Sequence, residues 1–337
     1  MTEETELLIV IVNYNGLALT LDCLESLEPE MAELPSVRVG VCDNGSRNSE
    51  ANALAEAIQA RGWSEWAALT RLPVNLGFTG GNNAVIRPAL ERGELPNFVL
   101  LLNNDTIVRP GAIRALLEFM KAKPEAGIAG SRLEFPDGTP QISAFRFMGV
   151  ASEFDRGLAL GVVSRMLSRY AVSPPVPEAD SPADWVAGAS MIIRREVIES
   201  VGTLDDDYYT YFDDIDYCNR ALKAGWLTWY VPASRVVHLV GQTTGVTAAD
   251  SQRKRRPEYY YQARRRYLTQ HLSPLRAAMC DFAFLTGHAL NVARCKLTRR
   301  SIGAPAGSFM DHMRYSVICR GFRSPVVQNP LLVADDK

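Results

Sequence analysis

The stretch Phe98-Val99-Leu100-Leu101-Leu102-Asn103-Asn104-Asp105 decides how the rest of the chain is read. Five apolar residues closed by a polar turn read as a buried strand of a mostly parallel sheet. Ligands of such sheets gather beyond the carboxyl ends of the strands, so Asp105 stands where chemistry is usually done. A carboxylate held there suits a hard divalent cation, of the kind recruited to manage phosphate charge. On its own the triplet also reads as a strand-ending turn before a helix cap at residues 106–111, because Asn and Asp favour turns for local reasons.

Working outward, residues 7–12, 37–42, 66–72 and 127–131 are further apolar runs, and 17–27, 50–60 and 112–121 carry helical patterns between them. Strands alternating with helices at this spacing predict right-handed βαβ units and an open, mostly parallel α/β sheet of Rossmann-like type flanked by helices. Three of the strands then deliver Asn13, Asp43 and Asp105 to one edge, a convergence that a nucleotide site requires. The first strand-helix turn, Asn13-Tyr14-Asn15-Gly16, carries no GxGxxG, and the chain has no GxxxxGK[ST]. A dinucleotide fingerprint and a P-loop are thereby excluded. The glycine-rich segment 77–81 is expected as a flexible turn before a helix over residues 82–90, or as backbone approaching a ligand.

Regular alternation lapses over residues 136–180, where prolines crowd a segment expected to be irregular. It resumes at Trp185, and residues 213–224 read as a helix with Asp213, Asp214 and Asp216 in its first turn beside Tyr208, Tyr209, Tyr211 and Phe212. One acid would serve as a cap; three among aromatic walls also fit a tuned acid or base. His238 follows an apolar stretch, where a lone histidine is more often a satisfied structural residue than a ligand.

The length of 337 residues fits two domains, or one larger α/β domain with additions. With 47% hydrophobic and 22% charged residues the chain has the makings of a globular core. A net charge of -2 does not indicate a nucleic-acid binder. The six cysteines show neither zinc nor disulfide spacing and are expected as small buried residues. The acidic start lacks the features of a signal peptide, so a cytoplasmic location is expected. Positive charge is concentrated locally, at residues 252–267 and again at residues 276–323, where Phe282, Phe284, Leu285 and Leu290 interleave with arginines. A basic amphipathic helical pair of this kind reads either as a membrane-surface element or as helices packed with a solvated basic face.

Taken together, Ile9 to Gly16, Val41-Cys42-Asp43-Asn44-Gly45-Ser46, Asn75-Leu76-Gly77-Phe78, Leu101 to Asp105, Val186-Ala187-Gly188-Ala189, Phe212 to Asp216 and His238 stand in an order that resembles the inverting family 2 glycosyltransferases of GT-A fold, in their rhamnosyltransferase-like branch. The resemblance implies a catalytic domain over residues 1–245, with its nucleotide-binding part at about 1–131 and its acceptor and catalytic part at about 132–245, followed by a basic, mainly helical extension over 246–337. It implies transfer of a sugar, rhamnose among the candidates, from a dTDP- or UDP-linked donor to a saccharide or lipid-linked saccharide in cell-surface polysaccharide synthesis. Asp43 resembles the acid that contacts the base, with Asn13 and Asn75 lining that pocket and Gly77 and Asn104 beside it. Asp105 and His238 resemble the ligands of a Mn²⁺ or Mg²⁺ ion, Asp214 the general base, and Trp185 and Asp213 acceptor-side contacts. Arg264 lies in a segment resembling an arm towards the donor phosphates. Two departures stand out: the metal triplet keeps one carboxylate, Asp105, and the usual Glu-Asp pair is Asp213-Asp214. A sugar nucleotidyltransferase would share the α/β sheet and the metal, but no Gly-rich, Arg/Lys-bearing triphosphate loop follows the first strand. A non-catalytic nucleotide- or glycan-binding module would explain the pockets but gives Asp214 no task.

Overall fold

The protein is described from a computed structural model that covers residues 5–239 and 254–327. Gln252 and Arg253 of the basic run, and the expected boundary at residue 245, lie outside the described residues. The chain divides into two compact units, Met1–Ala144 with Pro175–Asp206 and Asp213–Thr244, and Phe145–Pro174 with Asp207–Phe212 and Gly245–Lys337. The carboxyl-terminal extension therefore does not stand alone: two earlier segments complete its unit.

The first unit is built on β1 (Leu7–Asn13), β2 (Val37–Asn44), β3 (Ala67–Leu72), β4 (Phe98–Asn103), β5 (Thr106–Val108), β6 (Ala126–Glu134), β7 (Ala144–Phe145), β8 (Ser181–Ala183), β9 (Trp185–Val186), β10 (Ser190–Arg194) and β11 (Leu227–His238). Nine of them form one sheet in the order β3-β2-β1-β4-β10-β6-β11-β5, with β8 on β11. β1 to β4 pair in parallel, β10 enters antiparallel to β4 and β6, and β11 runs parallel to β6. Six strands thus point one way, and only β5, β8 and β10 oppose them. The mostly parallel sheet expected from the alternating pattern is the one observed.

Burial on both faces explains the unbroken apolar runs. In β4, Phe98, Leu100 and Leu102 join one buried cluster, while Val99 and Leu101 join another on the opposite face. Helices α1 (Leu17–Glu33), α2 (Glu50–Ala60) and α4 (Ala112–Ala122) cover the first face. The second is covered by α3 (Gly77–Glu91), α7 (Arg195–Val201) and α8 (Asp213–Lys223). α3 begins at Gly77, five residues before the expected start, so the glycine-rich segment is helix rather than turn. Its glycines are poor helix formers, but packing overrides propensity: a Cβ at Gly81 would come within 2.6 Å of Val12 Cγ1.

In the second unit the segment expected to be irregular contributes α5 (Val150–Leu158) and α6 (Gly161–Met166). They join α9 (Glu258–His271), α10 (Pro274–Thr298), α11 (Ser308–Tyr315) and α12 (Val317–Arg320). α5 and α10 cross at glycines, where a Cβ on Gly157 would sit 2.4 Å from the Phe284 carbonyl oxygen and one on Gly287 2.5 Å from that of Phe154. A nine-residue helix is marginal alone, and this close packing supplies what its length does not. The segment Asp207–Phe212 joins the unit through aromatic contacts, Tyr211 stacking on Tyr259 at 5.9 Å and Phe212 lying 5.5 Å from Tyr260. Tyr211 and Phe212 both hold left-handed backbone, at φ +68° and +63°. Side-chained residues rarely adopt it, so the aromatic packing holds a strained turn.

Candidate active site

The carboxyl ends of the co-directed strands bring the polar residues together. Asn13 closes β1 and pairs in register with Asp43 on β2. Its buried side-chain nitrogen donates to Asp43 Oδ2 at 3.0 Å and to Ser46 Oγ at 3.1 Å. Its oxygen accepts from the Gly16 N–H at 3.2 Å and the Thr20 hydroxyl at 2.9 Å. Thr20 Oγ1 accepts in turn from Asn104 Nδ2 at 3.1 Å. A hydroxyl can donate once while accepting, so Thr20 fills both roles at once. Asp43, at the end of β2, is thereby connected to Asn104, beyond the end of β4, through two buried side chains.

Asn44 organises the adjoining turn. Its nitrogen donates to Asn75 Oδ1 at 3.1 Å and the Gly77 carbonyl at 2.9 Å, and its oxygen accepts from the Leu76 N–H at 2.9 Å. Asn75 Oδ1 also accepts from the Gly77 N–H at 2.8 Å, where the chain turns with φ +77°. That left-handed conformation carries no Cβ penalty in glycine.

At the far strand end, Asp105 Oδ1 lies 3.4 Å from His238 Nε2. The backbone fixes the pair, since His238 faces Thr106 across β11 and β5 and the Leu239 N–H donates to the Asp105 carbonyl at 2.9 Å. Gln141 Nε2 adds a bond to the His238 carbonyl at 2.8 Å. Asp214, in the first turn of α8, accepts from the Ile215 N–H at 2.8 Å and from the Gly188 N–H at 3.4 Å. Burial pushes its carboxyl up to about 6, against the downward pull of those amides. The next residue, Ala189, accepts through its carbonyl from the Asn103 N–H at 3.0 Å. Two consecutive residues of one turn thus hold Asp214 and the strand end that leads into Asp105.

Residues 5–257 match the sequence pattern described as glycosyltransferase like family 2. The chain belongs to that family. Among its relatives is the N-acetylglucosaminyl-diphospho-decaprenol L-rhamnosyltransferase of Mycobacterium tuberculosis (strain H37Rv), 27% identical over 280 residues, which span 78% of this chain and 86% of the relative. The rhamnosyltransferase WbbL of Escherichia coli K12 is 26% identical over 166 residues, 48% of this chain and 60% of that protein. In fold, the glycosyltransferase is similar to the mannosyltransferase PcManGT of Pyrobaculum calidifontis, solved with GDP-Man and Mn²⁺, at a TM-score of 0.53 and 14% identity over 94% of this chain and 84% of that one. It is also similar to GalNAc-T7, solved with UDP, GalNAc and Mn²⁺, at a TM-score of 0.56 and 15% identity over 95% of this chain and 59% of that one. The fold is therefore GT-A, and the enzyme class is that of the glycosyl-transferring EC 2.4 group.

The remaining expected site residues fall into two sets. Asp213 is buried beside Asp214, and Trp185 packs at the edge of the second core cluster. Asp216, the third acid of that turn, pairs with Arg220 at 2.9 Å and is structural. Arg264 is different. It is 3% exposed, with its guanidinium shared between Glu153 and Asp281. A donor-phosphate role would require breaking both pairs, so the expected function of Arg264 is set aside. Arg266 is similarly committed, to Asp207 at 2.7 Å and the Pro325 carbonyl at 2.8 Å. The spacing of charges along α9 gave no sign of these partners, which lie elsewhere in the sequence.

No group of three or more His, Cys, Asp or Glu side chains able to hold a metal occurs among the described residues. Asp105 and His238 nonetheless offer a carboxylate oxygen and an imidazole nitrogen 3.4 Å apart, a donor pair whose chemistry fits a divalent ion such as Mn²⁺. Thr20 and Ser46 are members of the polar network around Asn13 to which sequence reasoning gave no role. A hydroxyl three residues after Asp43 and another seven after Asn13 were the available signals, and neither spacing is distinctive.

Proposed function

We propose that this glycosyltransferase moves a sugar, with rhamnose the leading candidate, from a dTDP- or UDP-linked donor to a hydroxyl of a saccharide or lipid-linked saccharide, with inversion at the anomeric carbon. The observation that carries the reading is the Gly188-Ala189 turn, which links a carboxylate of raised pKa to the strand end bearing Asp105. Asp43 and Asn13 are assigned to the base, Asn75, Gly77 and Asn104 to the rest of the donor pocket, and Trp185 and Asp213 to the acceptor. Asp105 and His238 would hold Mn²⁺ or Mg²⁺, which when bound offsets charge growing on the departing diphosphate. The acceptor oxygen bonds to the anomeric carbon as the bond from that carbon to the diphosphate oxygen breaks. Asp214 takes the hydroxyl proton, and the nucleoside diphosphate leaves with the bonding electrons. The decaprenol-linked acceptor in the name of the mycobacterial relative supports a lipid-linked acceptor here, and with it work at the cytoplasmic membrane surface.

Transfer from a panel of dTDP- and UDP-sugars, with Mn²⁺ and with EDTA, tests the reading. One donor is expected to turn over with metal and to stop with EDTA. Turnover of no donor, alongside an Asp105→Ala variant that binds Mn²⁺ as well as the wild type, would overturn it.

A further inference from the structure

α10 carries large apolar side chains on its exposed face as well as its buried one. Ala277, Cys280, Ala283 and Phe284 are buried together with Asp281, His288 and Asn291, while Leu275, Met279, Phe282, Leu290 and Leu297 are 72%, 46%, 66%, 50% and 86% exposed. At about 100° per residue these five side chains fall within an arc of about 80°, and they run about 33 Å along the helix. Water alone does not select such a row of exposed large apolar side chains, and an exposed apolar surface of this kind marks a contact with something else.

Charge identifies the contact. From residue 274 to 327 the only acids are Asp281 and Asp311, both buried and paired, with Arg264 and with Arg255. Against them stand Arg276, Arg294, Lys296, Arg299, Arg300, Arg314, Arg320 and Arg323. Arg276 lies near the start of the stripe and Lys296, Arg299 and Arg300 lie around its end. A second copy of this chain laid along the stripe would bring like charges together in either direction, which disfavours self-association. An anionic lipid surface accepts both features: acyl chains take the apolar stripe and headgroups pair with the basic residues. No helix among the described residues is long and apolar enough to cross a membrane, so α10 would lie in the interface.

We propose that the stripe Leu275, Met279, Phe282, Leu290 and Leu297 on α10, with its flanking basic residues, docks the protein on an anionic bilayer. The proposal rests on the membrane-surface reading above and names the face that makes the contact. Its test is flotation of the full chain with vesicles of phosphatidylcholine alone and of phosphatidylcholine with phosphatidylglycerol, at low and high salt. The wild type is expected to float with the anionic vesicles and to be released by salt. Phe282→Glu with Leu290→Glu, both at exposed positions, should lower the bound fraction about tenfold or more without changing the melting temperature. Equal flotation of the paired variant, or no preference for anionic vesicles, would overturn the proposal. So would a dimer that the paired substitution dissociates while neither form binds vesicles. Transfer to a water-soluble acceptor is measured on the same preparations: if it persists while flotation is lost, the enzymatic reading stands, and if it is absent while flotation persists, only the enzymatic reading fails.

Discussion

Each unit buries a polar network, and the two are built on opposite principles. In the first, Asn13, Thr20, Asp43, Ser46 and Asn104 are joined mostly by amides and hydroxyls, and Asp214, in the same unit, is held by the Gly188 and Ile215 backbone N–H groups. In the second, Glu153, Arg156, Arg264 and Asp281 are joined as ions, two cations to two anions. Burial on its own would raise the Glu153 carboxyl, but Arg156 and Arg264 overcome it and hold the group at about 2. At Asp214 no cation opposes burial, and the carboxyl rises to about 6. Balanced charge locks a structure; a carboxylate left near neutrality can take and release a proton.

The largest effect should come from Asp214→Asn, with turnover falling by roughly 100- to 10,000-fold while donor binding survives. The same substitution should leave the fold largely intact. Between the ordinary Asp range and pH 6 the folded state binds more protons at this site than the unfolded chain, so the wild type loses stability as pH rises through that window. The neutral amide escapes that penalty but keeps only one acceptor oxygen for the Ile215 and Gly188 N–H groups, so the two effects oppose and the variant should melt close to the wild-type temperature at pH 7. In the wild type, kcat/KM should fall as pH drops below about 6, where Asp214 is protonated. Wild-type turnover by the variant, or an unchanged profile through pH 6, would break the contrast at its functional end.

Arg264→Ala tests the other end. Removing one partner from a buried ion pair typically costs about 3–5 kcal/mol, because here Asp281 stays buried without its cation and Glu153 is left with Arg156 alone. Melting should drop sharply, and the protein that remains folded should keep its KM for donor. Glu153 gives the matching pH dependence: its contribution is present above the ordinary carboxylate range and is lost as pH falls towards 2. A raised donor KM in an otherwise well-folded Arg264→Ala protein would restore the phosphate role expected of that arginine.

The same contrast explains what could be read in the sequence. The placement of Asn13, Asp43, Asp105 and His238 at strand ends was legible because each closes or follows an apolar run, and a parallel sheet sends such ends to one edge. Arg264 was misread because charge along a helix says nothing of what faces it: its partner Glu153 is 111 residues away, in a segment whose prolines concealed a helix. The start of α3 was misplaced for a similar reason. Glycines argue against helix locally, but the contact of Gly81 with Val12, and the Asn75 side chain on the Gly77 N–H, are supplied by the fold.

Thr20 should show the smallest effect, and it asks whether the neutral network positions the site or only fills space. Its hydroxyl lies between Asn13 Oδ1 and Asn104 Nδ2, 84 residues apart from the latter, and all three side chains are buried. Thr20→Val keeps the volume but removes the hydroxyl that donates to Asn13 and accepts from Asn104, two buried hydrogen bonds, at a cost of about 1–3 kcal/mol. If the network only supports the fold, that cost appears in melting and the kinetic constants hold. If it sets Asn13 and Asn104 for the donor, KM for donor rises with little change in kcat, and Thr20→Ser, which retains the hydroxyl, restores it. The restoration by serine decides the matter, because a void left by the missing methyl would affect melting in Thr20→Ser while leaving the hydrogen bonds, and hence KM, in place.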